Sequence, residues 1–211
     1  MKKAELVSLV TLLPALLCAA LAGCQTASDE VRFELRVSEA VVEGNVPETG
    51  PGTQELAVKV SWSATTGGLD AYVTNPADTT ASILWEDATF SYGSGDPEPL
   101  VATAPHAGPD LPQPPTVIPG RGQMIVGMLP RSHAEWEWST NRAMGGSWRA
   151  SAGLFGVEFT TEQSEAERRS LAEATVGRKA MIEIPVRTGS RVLTYIFDVR
   201  VAGAEVYASY H

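Results

Sequence analysis

Apolar and polar residues alternate along much of this chain. Val31, Phe33, Leu35 and Val37 are interleaved with Arg32, Glu34 and Arg36, and Leu56, Val58, Val60 and Trp62 with Lys59, Ser61 and Ser63. A period of two sends successive side chains to opposite faces, so each run predicts a half-buried strand. Leu69 to Thr74 predicts a third, closed by the turn-forming Asn75-Pro76. Ser82 to Tyr92 predicts a fourth whose alternation shifts at Glu86-Asp87. Ile83 and Trp85 point one way, Ala88, Phe90 and Tyr92 the other, and a β-bulge would reconcile the halves. Two neighbouring carboxylates could also hold a cation, but adjacent strand residues face opposite sides, which favours the bulge.

Met124 to Leu129 predicts another strand, stopped by Pro130. In Glu135-Trp136-Glu137-Trp138 both Trp fall on one face, and Phe155, Val157 and Phe159 mark the strand after Trp148. Ile182, Ile184 and Val186, the turn Thr188-Gly189-Ser190, and the alternation from Leu193 to Val201 form the clearest hairpin, with a bulge expected at Gly203. Between these runs, Gly93 to Pro119 carries prolines at 97, 99, 105, 109, 112, 114, 115 and 119. Proline removes ladder donors, so no packed strand is expected there, and parts should be polyproline II. A rigid crossover between two sheets is preferred over a docking peptide at Pro112-Gln113-Pro114-Pro115. One helix is predicted, Glu162 to Val176, with Thr160 and Gln163 as capping box, a Glu165–Arg169 pair and Gly177 at C′. Its thin apolar stripe of Ala166, Leu171 and Ala174 puts it on the surface. The total is about eight or nine strands and one short surface helix. The fold class is all-β, an immunoglobulin-like antiparallel β-sandwich, with a closed barrel as the alternative.

The first residues follow another rule. Lys2 and Lys3 precede a run from Leu6 to Leu21 broken only by Ser8, Thr11 and Pro14, and Leu21-Ala22-Gly23-Cys24 follows. The run is short of the roughly 20 residues a spanning helix needs. A secretory signal fits better. The four residues resemble a bacterial lipobox, which implies cleavage before Cys24, acylation of Cys24 (palmitate-type chains) and anchoring in membrane lipid. The alternative is an ordinary signal peptide with an incidental thiol. Gln25 rather than Asp after the Cys implies, by the same resemblance, the outer membrane, with the domain facing the periplasm. Residues 1–23 are then the signal peptide, 24–30 a lipidated tether, and 31–211 a single β-sandwich domain. Tyr72-Val73-Thr74-Asn75-Pro76 running into Ile83-Leu84-Trp85-Glu86-Asp87, and Pro114-Pro115-Thr116-Val117-Ile118-Pro119-Gly120, resemble small exported bacterial lipoproteins with an immunoglobulin-like sandwich. The Asn-Pro strand end is also similar to a water-stress sandwich domain of bacterial lipoproteins. These resemblances imply fold and compartment and bring no site residue with them.

Charge then narrows the function. The net charge is −9, and removing Lys2, Lys3 and Glu5 makes the rest more acidic still. Nucleic acid is a poor partner for such a chain, because its phosphates demand Lys and Arg. Cys18 leaves with the signal and lipid consumes Cys24, so no disulfide is expected. No catalytic residue and no cofactor is assigned. Gly145-Gly146-Ser147-Trp148-Arg149 misses a nucleophile elbow at its last position. His106, His133 and His211 lack metal-ligand spacing, and His133 with Glu135 is a lone pair, so no metal site is assigned. The remaining candidates are Trp136, Trp138 and Trp148, with Arg142 and Arg149 as polar neighbours. Exposed Trp rings stack on sugars or anchor proteins, while buried ones fill a core as expected of Trp62 and Trp85, and core filling is the preferred reading. The expected function is non-catalytic: binding or scaffolding an envelope protein. The alternatives are a glycan- or peptidoglycan-binding module using Trp136 to Trp148, and an enzyme built from dispersed residues.

Overall fold

A computed structural model describes residues 28–44, 56–63, 67–103, 108, 110–138, 146–151, 154–156 and 163–209. The lipobox with Cys24, Arg142, the expected strand residues Val157 and Phe159, and Thr160 lie outside them. Val31–Val206 is one compact unit.

The described chain forms thirteen strands and one α-helix. In order these are β1 (Ser28–Val37), β2 (Val41–Glu43), β3 (Ala57–Ser63), β4 (Gly68–Thr74), β5 (Ala81–Ile83), β6 (Thr89–Tyr92) and β7 (Glu98–Ala102). There follow β8 (Thr116–Ile118), β9 (Gln123–Pro130), β10 (Ala134–Trp138), β11 (Gly146–Ala150), the helix α1 (Glu165–Glu173), β12 (Lys179–Thr188) and β13 (Arg191–Ser209). The fold is all-β, a sandwich-like antiparallel sheet that nearly closes on itself. Its hydrogen-bonded path runs β1-β13-β12-β6-β7-β9-β4-β3, with β2 beside β13, β5 beside β12 and β8 beside β5. β10 and β11 form a separate ribbon.

β7 is the corner. Its first half opposes β6 (Pro99 to Thr89, Glu98 to Phe90), and its second half opposes β9 (Leu100 to Pro130, Ala102 to Met128). The alternation seen in the sequence therefore feeds one core from two layers. Ile182, Ile184, Val186, Phe197, Val199 and Phe90 come from the β12 side, and Val58, Val60, Leu69, Val73, Val126 and Met128 from the β4 side. The expected hairpin pairs Lys179–Thr188 with Arg191–Arg200 in unbroken register, turning at Gly189 with φ 60°. β13 runs through Gly203 as continuous strand.

Five local expectations are corrected. The expected fourth strand is two strands, β5 and β6, both paired to β12. From Ile83 to Thr89 the chain advances six residues while β12 advances three, from Val186 to Glu183. A 3-10 turn at Trp85–Asp87 absorbs the excess instead of a bulge, and buried Trp85 fixes it by donating Nε1–H to Thr116 Oγ1 at 2.8 Å. The proline-rich stretch does carry strands, β7 and β8. Pro99 is exposed near the start of β7 while Leu100 donates its N–H to Ala88 O, and β8 itself contains no proline. The helix starts at Glu165, because Ser164 and Glu167 make the capping box: Ser164 Oγ accepts from Glu167 N–H, and Glu167 Oε2 accepts from Ser164 N–H. Only Ala172 of α1 is buried, as a surface helix requires. Phe155, expected in a strand, sits in a turn at φ 66°. β1 begins at Ser28, inside the stretch expected to be tether.

Candidate functional site

The ribbon β10–β11 holds the sequence candidates. Its register sets Trp136 opposite Trp148, Glu137 opposite Ser147 and Trp138 opposite Gly146. The period of two then separates two faces. One carries Ala134, Trp136, Trp138, Trp148 and Ala150, and the other carries Glu135, Glu137, Ser147 and Arg149. The aromatic face lies on the outer side of the β7–β9 corner. There Trp148, only 5% exposed, packs with Val101, Leu129 and Ala134 in a second core. Val101 and Leu129 are cross-strand partners that point away from the main core, while Leu100, Ala102 and Met128 fill it.

The three indoles step outward from that second core. Trp136 meets Trp148 at 5.3 Å and 72°, and Trp138 meets Trp136 at 5.7 Å and 86°. These are edge-to-face contacts, the arrangement favoured by the ring quadrupole. Trp148 is buried, Trp136 half-buried and Trp138 61% exposed. Core filling therefore describes Trp148, while Trp138 presents its ring to solvent. Gly146 makes the ladder possible, because a Cβ there would come within 2.7 Å of the Trp136 ring and 2.4 Å of Glu137 O. On the other face Arg149 Nε pairs with the Glu137 carboxylate. Arg149 is thus turned away from the indoles.

The base of the ribbon joins His133 to residues that the sequence patterns did not mark. Arg131 lies 4.5 Å over the Trp148 ring as a cation–π contact. His133 enters the ribbon with Nε2 at 2.8 Å from the Tyr92 hydroxyl, and Glu135 is on the exposed face, so the two do not converge on a metal. The Tyr92 oxygen also accepts the Phe155 N–H at 3.1 Å, so the hydroxyl bridges the ribbon base and the Phe155 turn. Burial pushes the Tyr92 hydroxyl up to about 12 and the Glu98 charge adds to this, whereas the Phe155 N–H and the Arg178 charge pull the other way. Arg178 Nη1 donates to Phe155 O, so both backbone polar groups of that left-handed residue are held. A cavity of about 330 Å³ opens here, lined by Tyr92, Phe155, Arg178 and Lys179. No periodicity could have signalled it, because its residues come from three distant segments.

A second cavity, of about 470 Å³, lies on the outer face of β3-β4-β9, along the cross-strand row Lys59–Tyr72–Ile125. Among the described residues no three His, Cys, Asp or Glu side chains gather closely enough to hold a metal ion, and no helix is long and apolar enough to cross a membrane. No protein-family model, no curated protein and no solved structure matches this chain.

Proposed function

We propose that this chain is an envelope lipoprotein, held by lipid on Cys24 at the outer membrane and facing the periplasm, whose domain is a non-catalytic binding module for an envelope protein. The docking element is the β10–β11 ribbon. The observation that carries this reading is the ladder of indoles ending in Trp138, 61% exposed and held edge-on by Trp136. A large rigid ring presented this way loses little entropy on binding and buries much area, which is how interface anchors work. A protein partner is preferred over a sugar for a specific reason. Sugar stacking needs polar groups around the ring, and the charged residues of the ribbon, Glu135, Glu137 and Arg149, stand on its opposite face.

Photo-cross-linking in the native host tests this. A cross-linking residue at Trp138 should capture one recurrent protein, and the same residue at Leu111, which is 64% exposed, should not. Equal capture at both positions would remove the ribbon from the reading. Muropeptides that quench Trp emission and compete with the cross-link would move the reading to a glycan. The anchor is tested separately, by fractionating cells that carry Cys24→Ala. A soluble or unprocessed product is expected, and a mature membrane-bound product would rule out lipidation.

A further inference from the structure

The cavity beside Tyr92 has a chemical character distinct from that of the ribbon. Two aromatic rings, Tyr92 and Phe155, stand edge-to-face at 6.0 Å, and two cations, Arg178 and Lys179, border them. Arg200 stands directly across from Lys179 in the β12–β13 register. Like charges opposite one another on adjacent strands repel, and these three lie next to one another in a chain of net charge −9. Among the described residues none of the three forms an ion pair with a carboxylate. The Tyr92 hydroxyl is a neutral phenol, and Glu98, the carboxylate whose charge acts on it, is held by the Ser132 N–H and forms no ion pair with any of the three. Arg178 is anchored by one donor on Phe155 O, which positions the guanidinium at the rim and leaves its other donors available. The backbone of Phe155, at φ 66° and ψ 22°, is in a conformation costly for a bulky residue, and its ring is buried in the main core against Phe33, so the open apolar wall is the half-buried Tyr92 ring and the alkyl stems of Arg178 and Lys179. At about 330 Å³ the cavity is at the small end of ligand pockets.

We infer that this cavity binds a small amphipathic anion, with a carboxylate or phosphate held by Arg178 and Lys179 and an apolar body of roughly a dozen heavy atoms against the Tyr92 ring and the alkyl stems of the two cations. Charge-assisted bonds from two cations at the rim of an apolar cavity select an anionic head over a neutral or cationic one. This site is independent of the Trp138 ribbon and of its partner.

Phenylbutyrate, phenylbutanol and phenylbutylamine share one body and differ in their head, so they serve as probes. Each is titrated into the full chain in nanodiscs of zwitterionic lipid, with calorimetry and ligand-observed NMR as readouts. Phenylbutyrate should bind saturably with a sub-millimolar Kd, at least tenfold more tightly than the amine, with the alcohol between them. Lys179→Glu should weaken phenylbutyrate at least tenfold and bring the amine level with it. That side chain is exposed and its carbonyl still accepts from Gly93, so the melting temperature should stay where it was. Lys179→Ala gives the same order with a smaller loss. Equal binding of the acid and the amine, no saturable binding, or an acid Kd unmoved in both variants would overturn the inference. The source of the anion is read by adding phosphatidylglycerol to the nanodiscs. Competition with phenylbutyrate identifies a lipid headgroup as occupant, and an unchanged Kd identifies a free small molecule.

Discussion

Phe33 of β1 meets Trp62 of β3 with ring centroids 4.9 Å apart and planes at 90°. These strands are the two ends of the hydrogen-bonded path, so one aromatic contact joins layers that no backbone ladder closes among the described residues. Phe33 also touches Phe155 edge-on at 5.9 Å, which extends the contact towards the cavity turn. Phe33 is 5% exposed and Trp62 partly buried, so most of their value is area taken from water. Phe33→Ala should cost about 3–5 kcal/mol. The pair itself should contribute about 0.5–1.5 kcal/mol beyond burial. A double-mutant cycle with Phe33→Leu and Trp62→Leu in urea measures that coupling. A coupling of zero would mean that the seam is held by burial alone.

Gln113 shows what the proline-rich stretch does. Its side-chain amide lies along β7, accepting the Ala102 N–H at Oε1 (2.7 Å) and donating Nε2–H to Leu100 O (3.2 Å). One side chain thus stands in for a neighbouring strand and covers an open edge. Gln113 thereby holds this stretch against β7. Gln113→Ala leaves both backbone groups without these partners and should cost about 1–3 kcal/mol in chemical denaturation. Gln113→Glu keeps the acceptor and loses the donor, so it should fall between Gln113→Ala and wild type.

Long strands were legible because their side chains alternate strictly: Phe33 and Leu35, Val58 and Val60, and Phe197 to Val201 all point where the period of two puts them. Asn75-Pro76 was legible as a turn, and the structure adds why the Asn matters. At 2% exposure it accepts the Ala77 N–H and donates to Thr79 O and Pro119 O, tying the two segments that flank β5 and β8. Three-residue strands such as β2, β5 and β8 are too short to show a period. The 3-10 turn at Trp85 is fixed by Thr116, thirty-one residues away, which no local pattern contains. In the ribbon, Trp136 and Trp138 on one face followed from alternation, but the order of exposure did not. It depends on Val101 and Leu129 arriving beneath Trp148 from other strands.

Tyr92 gives the domain a pH signature. Its hydroxyl titrates near 12 in the folded chain against about 10 when unfolded. The folded state therefore holds the phenol proton more tightly. The associated stability is fully present below about pH 10 and is lost as pH rises towards 12. Comparing wild type with Tyr92→Phe isolates this from other titrations. Tyr92→Phe should be less stable at pH 7, by about 1–3 kcal/mol, because the Phe155 N–H loses its acceptor. The gap should narrow between pH 10 and 12. A gap constant across that window would show that the phenol titrates alike in both states.

Gly146 and Trp138 are direct partners across the ribbon, yet Ala substitution should act on them by different routes. A methyl group at Gly146 collides with Glu137 O and the Trp136 ring, and only one of these can swing away. Overpacking of this kind costs about 1–3 kcal/mol. Gly146→Ala should therefore lower stability and change the near-ultraviolet signal of the stacked indoles. Trp138→Ala removes a ring that is mostly in solvent and whose main contact is the edge-to-face pair with Trp136, so stability should fall by only about 0.5–1.5 kcal/mol. Partner capture should be lost in Trp138→Ala. In Gly146→Ala it should weaken in step with the indole signal, because the anchor is only as well aimed as the ladder beneath it. If Trp138→Ala instead unfolds the ribbon while Gly146→Ala leaves it intact, the outermost indole is structural and the binding surface lies elsewhere on the sheet.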